Sequence, residues 1–89
     1  MENEKDEQVS FRKYEQVWQQ IAKAVRPVRI RVPKNYQRTF IQAVRKEKTI
    51  ANMRRKQLDM PRYGRLNTTV DEKDPLILVF SLEHNGDLL

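Results

Sequence analysis

The side chains of this 89-residue chain that could do chemistry are few, and most are poorly placed for it. It has a single histidine, His84, flanked by Glu83 and Asp87 beside an Asn85-Gly86 turn. Three polar residues on a turn near a chain end are explained by turn polarity and make a weak metal set. No cysteine is present, which removes thiolate nucleophiles, thiolate metal sites and disulfides together. A serine–histidine pair would need Ser10 or Ser81. Ser81 lies three residues from His84 on an expected strand, where alternation sends the two side chains to opposite faces. Asp71, Glu72 and Asp74 form an acidic run without the spaced glycine and final glutamate of a calcium loop. Two glycines, Gly64 and Gly86, cannot build a phosphate-cradling loop. These absences argue against an enzyme and call for no cofactor.

The remaining chemistry is charge. The net charge of +6 is divided into blocks. Residues 1–11 carry a net of −3 and residues 66–89 a net of −4. Between them, Arg12 to Arg65 holds 16 Lys and Arg against Glu15, Glu47 and Asp59, a net of +13. Like charges concentrated in one stretch repel and weaken the compact state unless an anion screens them, and nucleic-acid phosphate is the commonest such anion. The candidate contacts are Arg29, Arg31, Lys34, Arg38, Arg54, Arg55, Lys56, Arg62, Tyr63 and Arg65. The arginines and lysines would meet phosphates, and Tyr63 could stack on an unpaired base. The leading expectation is therefore a small non-enzymatic DNA- or RNA-binding factor. The alternative is a protein-interaction module that meets an acidic partner through the basic face and an amphipathic helix over residues 10–25, whose aromatic residues are Phe11, Tyr14 and Trp18.

The elements that must position these residues follow from hydrophobic spacing. Residues 1–9 are acidic and lack periodicity, so they read as a disordered tail ahead of one domain over 10–89. Ser10 is a candidate N-cap, after which Phe11, Tyr14, Trp18, Ile21, Ala22 and Val25 recur at helical steps. Val17 borders that stripe, and Trp18 is expected in the core. Val28-Arg29-Ile30-Arg31-Val32 alternates β-branched and basic residues, which predicts a strand with the valines and isoleucine inward and the arginines outward. A helix should follow, capped by Asn35, with Tyr36, Phe40 and Val44 on its buried stripe. Ile50 and Met53 fall out of phase with that stripe, which favours a break at Thr49 and a second helix. Asp59-Met60-Pro61 stops it. Leu66–Val70 reads as a short strand, and Leu76 to Leu82, the most apolar stretch, as the central strand. The result is an α+β fold of two to three helices packed on one face of a two- or three-stranded sheet.

Residues 27–60 also resemble ribbon-helix-helix DNA-binding proteins, with a strand ending at Pro33, a helix, and a second helix begun by Thr49. The resemblance implies a dimer whose paired strands enter the major groove, with Arg29 and Arg31 reading base edges. No glycine marks the helix–helix turn, and the apolar strand at 76–82 has no place in that plan. A homodimer is thus one option. The acidic N-terminus and the absence of a long apolar run place the expectation in the cytoplasm, away from membranes.

Overall fold

The computed structural model describes residues 2–83, with side chains described from Lys13 onward. His84 and the Asn85-Gly86 turn lie outside the described residues. The chain forms α1 (Glu2–Lys23), β1 (Val28–Arg31), α2 (Gln37–Gln57), β2 (Leu66–Val70) and β3 (Ile77–Leu82). A single 3-10 turn, Lys34–Tyr36, leads into α2.

β3 is the central strand, as its apolar sequence predicts. The sheet order is β1-β3-β2, and both neighbours run antiparallel to it. Register fixes the faces. Val28 opposes Phe80 and Ile30 opposes Leu78, while Arg29 opposes Val79 and Arg31 opposes Ile77. Strand alternation therefore places the arginines on the face away from the helices. Val32 prolongs the pairing by donating its N–H to the Leu76 carbonyl at 2.7 Å.

Two helices cover the other face. Val17, Trp18 and Ile21 of α1 pack with Phe40 and Val44 of α2 against Val32, Leu66, Leu78 and Phe80. Phe80, Leu78 and Val44 are wholly inaccessible to solvent. Edge-to-face contacts join α1 to α2 and to the segment after it: Tyr14 on Phe40 at 5.3 Å between centroids, and Trp18 on Tyr63 at 5.1 Å. Trp18 belongs to the core, as expected, and Val17 sits inside it rather than at its border.

Several local expectations are corrected. Helical backbone in α1 begins at Glu2, so Ser10 lies within the helix and does not cap it. α1 stops at Lys23, and Val25, assigned to the apolar stripe, is 99% exposed in the loop before Pro27. Proline excludes the helical region for the residue before it, and the chain leaves the helix early to reach β1.

α2 is one helix from Gln37 to Gln57, not two. Thr49 does not open a new helix; its Oγ1 donates to the Arg45 carbonyl at 3.1 Å, a bond back to the preceding turn. The out-of-phase Ile50 and Met53 are simply exposed, because the helix does not twist to bury them. Asn35 lies in the 3-10 turn, and Tyr36, expected in the core, is 61% exposed at the α2 N-cap position. The helix ends in a Schellman motif: Met60 N–H donates to the Arg55 carbonyl and Asp59 N–H to the Lys56 carbonyl. Asp59 takes the left-handed conformation this requires, with φ 57°.

The ribbon-helix-helix plan does not hold. β1 pairs with β3 of its own chain, and the helix–turn–helix half is one continuous helix.

Candidate functional site

The basic residues divide into those that the protein itself engages and those it leaves to solvent. Arg29 and Arg31 are in the first group. Arg29 Nη2 donates to Asp71 Oδ1 at 2.9 Å, and Arg31 Nη1 donates to Asp74 Oδ2 at 3.0 Å. The acidic connector between β2 and β3 thus reaches across to the far edge strand of the sheet. The same carboxylates shape their own loop. Asp71 Oδ2 accepts from the N–H groups of Lys73 and Asp74, and Asp74 Oδ1 accepts from Leu76 N–H. Asp71 and Asp74 serve as internal counter-ions and turn formers.

The Arg29 hydrogen bond, helped by the Asp74 and Lys73 amides, holds the Asp71 carboxyl below its ordinary value of 3.8 despite an opposing desolvation. A depressed carboxyl pKa contributes stability that is present above the unfolded value, near 3.8, and is lost as pH falls through the folded value. Asp71→Asn should therefore melt below the wild type at neutral pH. The gap should narrow as the pH is lowered below about 3.8 and through the folded value, where both proteins come to carry a neutral group at position 71. A gap unchanged across that range in a pH series of thermal melts would show that the ion pair contributes nothing.

Arg55 and Tyr63 are also engaged. The Arg55 guanidinium lies 3.9 Å over the Tyr63 ring centroid. Its Nη1 donates to the Pro61 carbonyl at 2.7 Å and its Nη2 to the Tyr63 hydroxyl at 2.8 Å. With Trp18 against its ring as well, Tyr63 is half-buried beside the core. Asn52 completes a latch that sequence reasoning missed. Its Oδ1 accepts from Tyr63 N–H at 2.7 Å and its Nδ2 donates to the Tyr63 carbonyl at 3.2 Å. This pair of bonds fastens the 61–65 segment across α2.

Arg38, Arg45 and Lys56 are exposed and fall on one line of α2. Their spacings of seven and eleven residues are close to whole numbers of 3.6-residue turns. Arg54 projects from the opposite side, where it lines a groove of about 500 Å³ between α1 and α2 together with Glu15, Glu47, Trp18 and Ile50. Lys34 stands exposed in the 3-10 turn before α2, and Arg65 is exposed on the segment entering β2, where Arg62 is exposed but engaged within the protein. The structure therefore does not gather the expected set into one site. It brings Arg65 to α2, leaves Lys34 and Arg38 near the start of that helix, and turns Arg29 and Arg31 to the other face of the sheet.

One pocket concentrates cations. Between α2 and β2 a cavity of about 460 Å³ is lined by Arg45, Lys48 and Arg65 together with Thr49, Asn67 and Thr68. No carboxylate lines it, and one stands beside it: Glu83 Oε2 accepts from Asn67 Nδ2 at 2.7 Å. Among the described residues no ion pair engages those three cations. Arg45 and Lys48 were not among the expected contacts, because only the helix phase against β2 distinguishes them from other basic residues of α2. Among the described residues no group of three His, Cys, Asp or Glu could hold a metal ion, and no helix is long and apolar enough to cross a membrane.

The chain matches no protein-family model, and neither a curated protein nor a solved structure was found to be similar to it.

Proposed function

We propose that this protein binds nucleic acid, contacting the phosphate backbone through the outer side of α2 and the segment that crosses it to enter β2. The observation that carries this reading is the meeting of Arg45, Lys48 and Arg65 at one carboxylate-free pocket. Arg38 and Lys56 extend that cationic side in both directions along the helix. Mutual repulsion of such charges is relieved by a polyanion, whose binding releases condensed counterions.

This reading moves the contact surface away from β1. Arg29 and Arg31 already have carboxylate partners, so a phosphate approaching them would compete with Asp71 and Asp74. A protein-interaction role through the aromatic face of α1 has less support. Trp18 is 5% exposed and Tyr14 packs on Phe40, so that face already serves the core.

Fluorescence anisotropy with a short DNA duplex and a single-stranded RNA, each titrated with salt, tests the proposal. Binding should weaken steeply as salt rises, with a log–log slope of about −0.9 per phosphate on duplex and about −0.7 on single strands. Arg29→Ala with Arg31→Ala should leave the slope nearly unchanged. Arg38→Ala with Lys56→Ala should make it shallower by one to two phosphate contacts, on the order of 1–2 in slope. An absence of binding at low salt would overturn the proposal. Loss of binding confined to the Arg29/Arg31 variant would move the contact surface to the open face of the sheet.

A further inference from the structure

The pocket between α2 and β2 has a second set of donors, visible in the sheet register. In an antiparallel pair the residues alternate between those bonded to the partner strand and those whose amides point away from it. Glu83 N–H donates to the Arg65 carbonyl at 2.8 Å, and Asp71 N–H donates to the Ile77 carbonyl at 2.9 Å. The register that joins these two bonds pairs Leu66 with Leu82, Asn67 with Ser81 and Thr68 with Phe80. The odd-numbered residues of β2 are thus the ones bonded to β3. The backbone N–H groups of Leu66 and Thr68 point outward along the free edge of the sheet, each beside its own outward carbonyl.

That edge is a wall of the cationic pocket, since Leu66 and Thr68 line it with Arg65 and Asn67. Among the described residues no partner is recorded for either outward amide. Thr68 Oγ1, beside them, is buried without a hydrogen-bond partner. An unmet edge amide in a concavity that Arg45 and Lys48 also line suits a tetrahedral oxyanion. The amide meets one oxygen directionally, and the cationic side chains neutralise the charge. The groove between α1 and α2 differs in its lining: Glu15 and Glu47 belong to it, and they would repel such a ligand.

We infer that the α2–β2 pocket is a phosphate seat, in which an edge amide, that of Leu66 or of Thr68, and the Arg45, Lys48 and Arg65 side chains hold one phosphate group. The inference rests on the nucleic-acid reading only for the source of that phosphate, a backbone phosphodiester. The recognition chemistry is independent of it. A seat with directional donors fixes one phosphate in place, whereas the exposed cations along α2 attract the polyanion without fixing its position. It thereby sets the register of the strand on the protein.

The test is a titration of the full chain with inorganic phosphate at low ionic strength, followed by amide chemical shifts. Acetate serves as the carboxylate control, and a short oligonucleotide is titrated in parallel. Phosphate should move the Leu66 or the Thr68 amide resonance saturably, and acetate should not. Arg45→Ala and Arg65→Ala should each weaken that response about tenfold or more, as expected when a charge-assisted hydrogen bond is removed. Lys48→Ala provides a third variant should either arginine prove necessary for folding, which a thermal melt would reveal. The oligonucleotide should displace phosphate, and its salt slope should fall by about 0.9 on duplex in each variant.

Saturable phosphate binding at either amide without oligonucleotide binding would uphold the seat and overturn the nucleic-acid reading, leaving a phosphorylated small ligand as its occupant. Oligonucleotide binding that is unchanged in the variants, with the two amides unmoved by phosphate, would overturn the seat and leave the general reading standing on the other cations. An equal response to acetate would also overturn the phosphate assignment.

Discussion

Trp18→Ala is expected to destabilise the protein by about 3–5 kcal/mol, the range for an aromatic removed from a packed core. Trp18 is 5% exposed, packs with Val17 and Ile21 in the cluster that joins both helices to the sheet, and meets Tyr63 edge-to-face. A domain with stability of roughly 0.05–0.15 kcal/mol per residue has little reserve against such a loss. Much of the variant should therefore be unfolded near 37 °C. Trp18→Phe should recover part of the loss, because it keeps an aromatic ring in the site while leaving a smaller void. Urea unfolding of the three proteins, with unchanged slope between them, gives the comparison directly. A Trp18→Ala loss below about 1 kcal/mol would contradict the burial described above and return Trp18 to consideration as a docking residue.

That Trp18 belongs to the core is legible in the sequence because the periodicity that carries it is local. So is the outward aspect of Arg29 and Arg31, which needs only the alternation of a strand. Other features depend on which parts of the chain meet, and local pattern is silent about that. Nothing near Arg29 announces Asp71, which lies 42 residues away and becomes its partner only when β1 and β2 flank β3. The same two elements therefore looked like a phosphate-binding strand and an unrelated polar connector. Thr49 offered a credible N-cap and became an interior residue, because a threonine hydroxyl can equally well bond the carbonyl four residues back. The pocket shows the same limit. The count of basic residues in α2 is plain from the sequence, but only the docked helix shows that Arg45 and Lys48 face β2 while Arg54 faces α1.

Tyr63 links core and pocket, and it does so through a residue that has no sequence signature. Asn52→Ala is expected to cost about 2–4 kcal/mol, since it removes two hydrogen bonds and leaves a part-buried N–H and carbonyl of Tyr63 without partners. The loss should not be confined to stability. The 61–65 segment is fastened to α2 by Asn52 and by Arg55, which reaches both the Pro61 carbonyl and the Tyr63 hydroxyl. That segment delivers Arg65 to the pocket opposite Arg45. Release of one fastening should spread the positions that Arg65 samples, weakening anion binding at a temperature where the variant is still folded. Asn52→Asp separates the two effects: a carboxylate keeps the acceptor for Tyr63 N–H, loses the donor to its carbonyl, and adds a negative charge near the pocket. Its stability loss should be smaller than that of Asn52→Ala, while its anion affinity should fall at least as far. Calorimetry and a phosphate titration on the two variants test this together. If both bound phosphate as the wild type does, the latch would be structural alone, and Arg65 would reach the pocket without it.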